Sequence, residues 1–517
     1  MSDTGSNGGG GQAPGGRGGQ GHRGSRGGVR RNAQGRERNR GPQRGYSENA
    51  PSQRTRRADP ARLVAFEVLR AVAAEDAYAN LVLPARIRHH GLDKRDAGFA
   101  TELSYGALRG QGTYDAILAR CVDRPLDQLD PAILDALRIG AHQLLAMRVP
   151  AHAALDETVG LARAVIGAGP SGLINAVLRK VSAHTLEQWL ELLLSDEQDQ
   201  TKVASVRYAH PEWIVRAFRQ SLVAHGRPVT EINELLEADN AAPVVNLVAL
   251  PGLGSLDEAL ESGATPGELV EGSALSSGGD LGRLASVRDG STRVQDVGSQ
   301  LVARALASVD LGGTPGGKGE RWLDLCAGPG GKAALLGALA RQHGATLLAN
   351  EPAPHRAKLV RQALAAVPHE VWHVRTGDGR EVGSEMAESF DRVLVDVPCT
   401  GLGALRRRPE SRWRRTPKDL VDLGPLQREL LKSALDAVKP GGVVAYVTCS
   451  PHPAETTAVV SDALRKRDDL ELLDAGAALD AVSLTGHLEA GHELTAQLWP
   501  HRHRTDAMFL ALIHKKP

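Results

Sequence analysis

The sequence predicts a multi-domain protein: an all-helical bundle, then a small α+β module, then a doubly wound α/β domain closed by a C-terminal antiparallel hairpin. Three observations carry this. Apolar residues recur at helical spacing, without β-rich runs, between residues 58 and 190. From residue 322 onward, short apolar strands alternate with helical runs. The first of those strands, in RWLDLCAGPGGKAA at 321–334, breaks into a glycine-rich turn that opens a helix.

Composition sets the frame. The chain has 517 residues, 41% of them apolar and only 3% aromatic, which leaves room for two or three cores. The formal charge of +1 conceals an asymmetry, because residues 1–57 carry twelve Arg against three acidic residues and the remainder sums to −8. The first 57 residues also hold sixteen Gly and a single aromatic, Tyr46. Such a segment is expected to be disordered, serving as a sequence-tolerant RNA tether or as a solubilising tail. The four cysteines, Cys121, Cys326, Cys399 and Cys449, form no C-x-x-C pair and read as thiols in a reducing compartment. No apolar run approaches a membrane span, so a soluble cytoplasmic protein without membrane contact is expected.

In chain order, Leu63, Phe66, Leu69 and Val72 lie on one helical face, Phe99 and Leu103 on a second, and Ile133, Leu137 and Leu144 on a third. Pro131 opens that last helix and Pro150 closes it. Residues 191–306 form the α+β module: HPEWIVRAF (210–218) reads as a helix, ELLEADN as a helix and turn, and PVVNLVAL (243–250) as a strand. RVQDVGSQLVARAL (293–306) is a strand-to-helix entry into the last domain, 307–517. There, strands are predicted at 322–326, 346–350, 371–375, 392–397 and 443–448, with helices at 354–366 and 425–438. The closing hairpin pairs 496–499 with 508–513.

The turn Cys326, Ala327, Gly328, Pro329, Gly330, Gly331, Lys332 is a nucleotide-type cradle. A P-loop is excluded, because Cys326 replaces its first glycine and Ala333 its hydroxyl. Gly328, Gly330 and Ala333 match the dinucleotide pattern, with Glu351 about 20 residues on. S-adenosylmethionine would use the same features. Glu351, Asp378 and Asp396 follow successive strands, and acceptor-only carboxylates at Glu351 and Asp378 suit ribose hydroxyls and an adenine amino group. Each alone is as consistent with a turn or helix cap.

Pro398-Cys399 and Thr448-Cys449 decide between the ligands. Both thiols stand at C-terminal strand ends, where such sheets bind ligands, and hydride transfer has no use for them. Cys121 and Cys326 lack such a partner and are assigned to structure. Carbon 5 of cytosine becomes nucleophilic only after a thiolate adds to carbon 6, and a hydrogen-bond partner at N3, for which Asp396 is placed, stabilises the adduct. A second group must help release the enzyme.

LDLCAGPGGK (323–332), DRVLVDVPCTGLGALRRRPESRWRR (391–415) and GGVVAYVTCSPHPAETTAVV (441–460) resemble the RNA 5-methylcytosine methyltransferases of the Sun family, which have a Rossmann-like class I methyltransferase domain. RDAGFATELSYGALR (95–109), HAALDETVGLAR (152–163) and GLINAVLRKV (172–181) resemble the NusB-like RNA-binding bundle, which points to the RsmB (Fmu) branch. The resemblance implies S-adenosylmethionine as cofactor, 16S ribosomal RNA as substrate, Cys449 as nucleophile and Cys399 as the residue that assists release. Gly328 and Glu351 stand where the family often has Ala and Asp.

Arg406, Arg407, Arg408, Arg412, Arg414 and Arg415 are expected to form a phosphate-binding rim beside the thiols, with Trp413 as a stacking surface; the alternative is a solvated basic helix. His452, His501 and His503 have no metal-ligand spacing and are expected to be solvent-exposed, so no metal is expected. A monomer is expected. Two other functions fit less of the pattern: an RNA-binding assembly factor with a vestigial cofactor site, and a dehydrogenase.

Overall fold

The protein is described here by a computed structural model covering residues 58–312 and 318–517; the Gly/Arg-rich segment 1–57 lies outside the described residues. Its helical part begins with an Asp-Pro pair. Asp59 accepts a hydrogen bond from the Arg62 amide at 2.9 Å while Pro60 occupies the first helical position, where its missing N–H costs nothing. Asp130 and Pro131 repeat the device on helix Pro131–Leu145. Pro150 stands at the cap of the next helix, Ala151–Val165, so it opens that helix as much as it closes the one before.

Eight helices from Pro60–Glu75 to Leu186–Leu194 pack around one core. Phe66, Leu69, Val72, Leu103 and Leu137 are buried in it, while Leu63, Phe99, Ile133 and Leu144 line its margin. Packing dictates glycine at Gly106. A Cβ on Gly106 would stand 2.0 Å from Nε2 of His142, so glycine is kept inside a helix despite its poor propensity.

The middle module starts with helices Gln200–Arg207, Glu212–Ala224 and Ile232–Asn240 and continues into a four-stranded antiparallel sheet. Its strands are β1 (Asn246–Ala249), β2 (Thr265–Pro266), β3 (Ser273–Leu275) and β4 (Thr292–Val294), in the order β2-β3-β1-β4. The chain then crosses to the next sheet at Asp296, which caps helix Val297–Ser308. That helix buries Val297, Leu301, Val302 and Leu306 in the core of the last domain.

The large sheet contains β5 (Arg321–Asp324), β6 (Thr346–Asn350), β7 (Trp372–Arg375), β8 (Phe390–Asp396), β9 (Val438–Thr448), β10 (Leu470–Leu473), β11 (Gly491–His492), β12 (Thr495–Gln497) and β13 (Phe509–Lys515). Its order is β11-β12-β13-β9-β8-β5-β6-β7, with β10 on β13. β7, β6, β5, β8 and β9 are parallel, and β13 runs antiparallel to β9 with Leu510 opposite Val447. The five parallel strands overlap those read from sequence, and β12 pairs with β13 as the predicted hairpin. The helix over one face begins at Pro417 rather than near 425. A Thr416–Asp419 capping box starts it, and Pro425 is accommodated inside. Among the described residues no helix is long and apolar enough to cross a membrane.

Two kinds of contact join the modules. Ile214, Phe218 and Leu236 of the middle module share an apolar cluster with Leu402, Leu405 and Trp499 of the last domain. The second contact is a buried cation. Arg412 is fully buried, and its guanidinium donates to the carbonyls of Arg109 (3.1 Å), Ala209 (3.3 Å) and Asp239 (2.8 Å) and to Oδ1 of Asn240 (2.7 Å). One side chain thus holds the helical bundle, the middle module and the last domain together. Arg414 similarly donates to the carbonyls of Val72, Asp76 and Ala77.

This corrects the expected basic rim. Segment 402–415 is not a solvated helix but two short turns, Leu402–Ala404 and Ser411–Arg414, wedged between modules. Arg406 and Arg412 point inward, toward buried carbonyls and carboxylates that accept from their guanidinium groups or face them at ion-pair distance: Arg406 bonds the Arg504 carbonyl at 2.8 Å and lies 3.6 Å from Asp296. Replacing Arg412 by Ala is expected to destabilise the protein by about 3–5 kcal/mol, seen as a lower denaturant midpoint, with Lys restoring only part because it lacks the planar fork.

Candidate active site

The glycine turn is built as its sequence requires. Its start is tied to β6, with the Ala327 amide bonded to the Asn350 carbonyl at 2.9 Å and Asn350 Nδ2 to the Leu325 carbonyl at 3.0 Å. Gly330 has φ +112°, and a Cβ there would lie 2.4 Å from that of Ala363. A Cβ on Gly331 would meet nothing within 4 Å, so the first turn of helix Gly331–His343 opens onto free space with unsatisfied amides. Glu351 is buried beside the turn, its Oε1 accepting from the Ala353 amide at 3.1 Å, with Arg356 at 3.6 Å.

Asp324, at the end of β5, was not singled out from the sequence. Its carboxyl is 1% exposed, and no side chain donates to either oxygen. Burial, reinforced by the charge of Asp396, pushes its pKa up to about 7. The available signal was an acidic residue inside an otherwise apolar strand. Asp378 caps the turn Gly379–Glu381 and grips Arg380, whose amide and Nε lie 2.9 and 3.0 Å from Oδ1. That hydrogen bonding holds its pKa below the usual carboxylate value. It can still accept from a ligand, since a carboxylate offers more lone pairs than these bonds use.

The thiols meet. Parallel pairing of β8 with β9 sets Asp396 opposite Val447, so the loops that follow lie side by side. Sγ of Cys399 is 3.4 Å from Sγ of Cys449, and both residues are half-buried. Lys332 Nζ sits 2.8 Å from Oδ2 of Asp396, and this ion pair links the glycine turn to the end of β8. The thiols are unequal. A hydrogen bond from Cys399 and the Lys332 charge pull the Cys449 thiol down, whereas hydrogen bonding to Cys449, burial, and the charges of Glu455 and Asp396 push Cys399 up. Cys449 is therefore the readier thiolate, and Cys399 the S–H donor. Cys326 is pushed well up by burial, and Cys121 is buried in the bundle.

Beside them Arg407 forms a two-pronged ion pair with Asp506, including an Nε to Oδ1 bond of 2.9 Å. Arg408 is exposed and stacks over Tyr78 at 4.9 Å, and Trp413 is 37% exposed. The histidines depart from expectation. The His501 ring is 3% exposed and lies 2.9 Å from Glu231, and His503 is buried, accepting from the Trp499 amide at 2.8 Å. His452 is half-buried and caps a turn through Ala454. The His501 ring has a carboxylate partner 270 positions away, whereas His452 and His503 accept from backbone amides close by in the chain. No cluster able to hold a metal ion occurs among the described residues.

A Rossmann-like sheet with a glycine turn, acidic residues after successive strands and a helical bundle in front defines a methyltransferase-type enzyme. The family model for 16S rRNA methyltransferase RsmB/F matches residues 315–514, and that of the NusB family matches 59–183. In Mycobacterium tuberculosis, "Putative methyltransferase Rv1407" is 48% identical over 466 residues, covering 89% of this chain and 98% of that relative. "Ribosomal RNA small subunit methyltransferase B" of Erwinia tasmaniensis is 31% identical over 424 residues, covering 80% and 92%. The crystal structure of PH0851 shares the fold with a TM-score of 0.73 at 21% identity, covering 89% of this chain and all of that one. The chain belongs to the RsmB/F family of rRNA methyltransferases.

The inequality of the thiols can be measured by iodoacetamide alkylation read by peptide mass spectrometry. Cys449 is expected to react well below the pH at which Cys399 does. Lys332→Met should slow Cys449 at neutral pH on the order of tenfold by withdrawing the cation that stabilises its thiolate.

Proposed function

We propose that this protein forms 5-methylcytosine in 16S ribosomal RNA through a covalent bond between Cys449 and carbon 6 of the base, with S-adenosylmethionine as methyl donor. The observation that carries the reading is the pair of sulfurs 3.4 Å apart beside the Lys332–Asp396 ion pair. The residues fit the donor. The turn Cys326–Lys332, Glu351, Asp378 and Asp396 would hold it, and the buried Asp324 carboxyl, to which no side chain donates, stands beside the turn. When bound, S-adenosylmethionine supplies an electrophilic methyl group.

The chain's own groups do the rest. The Cys449 thiolate adds to carbon 6 and makes carbon 5 nucleophilic, while the Asp396 carboxylate, steadied by Lys332, accepts a hydrogen bond from N3 once that nitrogen has taken a proton from water, which it gives back on release. After methylation the carbon 5 proton is lost to solvent. The carbon–hydrogen electron pair restores the ring double bond, and the carbon–sulfur pair returns to Cys449. Cys399 assists by donating its S–H to the departing sulfur. Arg407 and Arg408 remain as phosphate contacts and Trp413 as a stacking surface, while the NusB-type bundle and the basic segment 1–57 bring the RNA. The enzyme acts as a cytoplasmic monomer.

Cys449→Ala is expected to lower methylation by more than about 10³-fold and to abolish any RNA adduct on denaturing gels, whereas Cys399→Ala accumulates the adduct. An active Cys449→Ala protein overturns the assignment. Bisulfite sequencing of ribosomal RNA from a deletion strain identifies the cytosine.

A further inference from the structure

Cys399 lies on a loop, yet its position relative to Cys449 has to be held to a fraction of an ångström for the sulfurs to exchange a proton. The loop is gripped from beneath by a buried carboxylate. Glu455, in the turn Pro453–Glu455, is 0% exposed, and its carboxylate accepts from the Thr400 amide (2.8 Å), the Thr400 hydroxyl (2.5 Å) and Nε2 of Gln427 (3.1 Å). The same Gln427 nitrogen donates to the Pro398 carbonyl at 2.9 Å. The residues on both sides of Cys399 are therefore clamped. Thr400 Oγ1 also lies 3.3 Å from Oγ of Ser450, the neighbour of Cys449, and the Tyr446 hydroxyl donates to the Glu455 carbonyl at 2.7 Å. No Lys or Arg forms an ion pair with Glu455 among the described residues, so a negative charge stands buried beneath the Pro-Cys loop on hydrogen bonds alone.

We propose that Glu455 is a positioning residue for the release step, seating Cys399 against Cys449 with Gln427 as its second grip and keeping Cys399 in the S–H form. This rests on the cysteine chemistry proposed above. The groups facing Cys399 are Cys449 and Tyr446 from β9 and its following loop, Asp396 from the end of β8, and Glu455 from the turn beneath; Lys332 reaches Asp396 and Cys449 from the glycine turn. All those facing Cys399 are neutral or negative. Each negative charge disfavours a second thiolate there, and Glu455 is the one that also touches the loop. Departure of Cys449 from carbon 6 returns an electron pair to its sulfur, and an S–H donor held 3.4 Å away stabilises that pair at the moment it forms.

The test separates charge from grip. In a Cys449→Ala background without RNA or cofactor, Glu455→Gln is expected to move the pH profile of Cys399 alkylation downward. Reaction at pH 8 should be roughly tenfold faster, because the neutral isostere keeps the shape and removes the charge. With Cys449 intact, RNA and S-adenosylmethionine, the same substitution should prolong the adduct toward the lifetime seen in Cys399→Ala, with methyl transfer into the adduct little changed. Gln427→Met, of similar volume, leaves the charge and loosens the Pro398 grip. It should prolong the adduct without moving the alkylation profile, and it carries the test if Glu455→Gln fails to fold. An unmoved alkylation profile in Glu455→Gln, or wild-type adduct decay in either variant, overturns the proposal. Absence of an adduct in Cys399→Ala would instead sink the reading of the reaction, while the alkylation arm would still report on Glu455.

Discussion

The parallel pairing of β8 with β9 is the constraint on which the catalytic end of this protein depends. Hydrogen bonds along the two strands fix their register, and both end at the same edge of the sheet. Two loops that are 50 residues apart in sequence are thereby brought to a sulfur–sulfur distance of 3.4 Å. Further backbone contacts hold the loops once they leave the sheet. The Gly403 amide donates to the Cys449 carbonyl at 2.8 Å, and the Ala507 amide to the Gly403 carbonyl at 2.9 Å. Gly403 cannot be anything larger, since a Cβ would meet the Ala507 carbonyl oxygen at 2.2 Å.

Around this edge the protein buries charges and pairs them. Arg407 is bound by Asp506, Arg406 lies between Asp296 and the Arg504 carbonyl, and Lys332 meets Asp396. Desolvation makes such groups costly unless their hydrogen-bonding capacity is met, which is why they occur as connected sets rather than singly. Burial shifts two further groups. Asp239, close to Arg412 but fully buried, is pushed up to about 7, and the His225 ring is pushed down to about 4. A neutral His225 lies 2.9 Å from the Pro451 carbonyl and ties the middle module to the loop that carries Cys449. The helical bundle and the middle module are thus joined to the chemistry through specific polar bonds as well as through apolar contact.

Much of this was legible in the sequence, because its signals are local. A glycine turn between an apolar strand and a helix, acidic residues after strands, and cysteines at two strand ends are each set by neighbours a few positions away. The positions of β5 to β9 along the chain came through for the same reason. The arginine-rich segment did not. Its charge density suggested a rim, yet the acceptors that turn Arg406 and Arg412 inward lie up to 303 positions away. His501 follows the same logic, since its partner Glu231 lies 270 positions away. Glu455 was read only as part of a motif, since nothing near it shows that its carboxylate reaches under Cys399.

What the sequence determined by itself, then, is the order of the domains, the glycine cradle and the presence of two thiols fit for one reaction, all encoded in short-range pattern. The tertiary structure alone decided that the Lys332 cation acts on Cys449 and the Glu455 carboxylate on Cys399, while Asp396 acts on both. Lys332, Cys399, Cys449 and Glu455 come from separate elements, and the field each feels is a sum over through-space distances that the chain order does not contain.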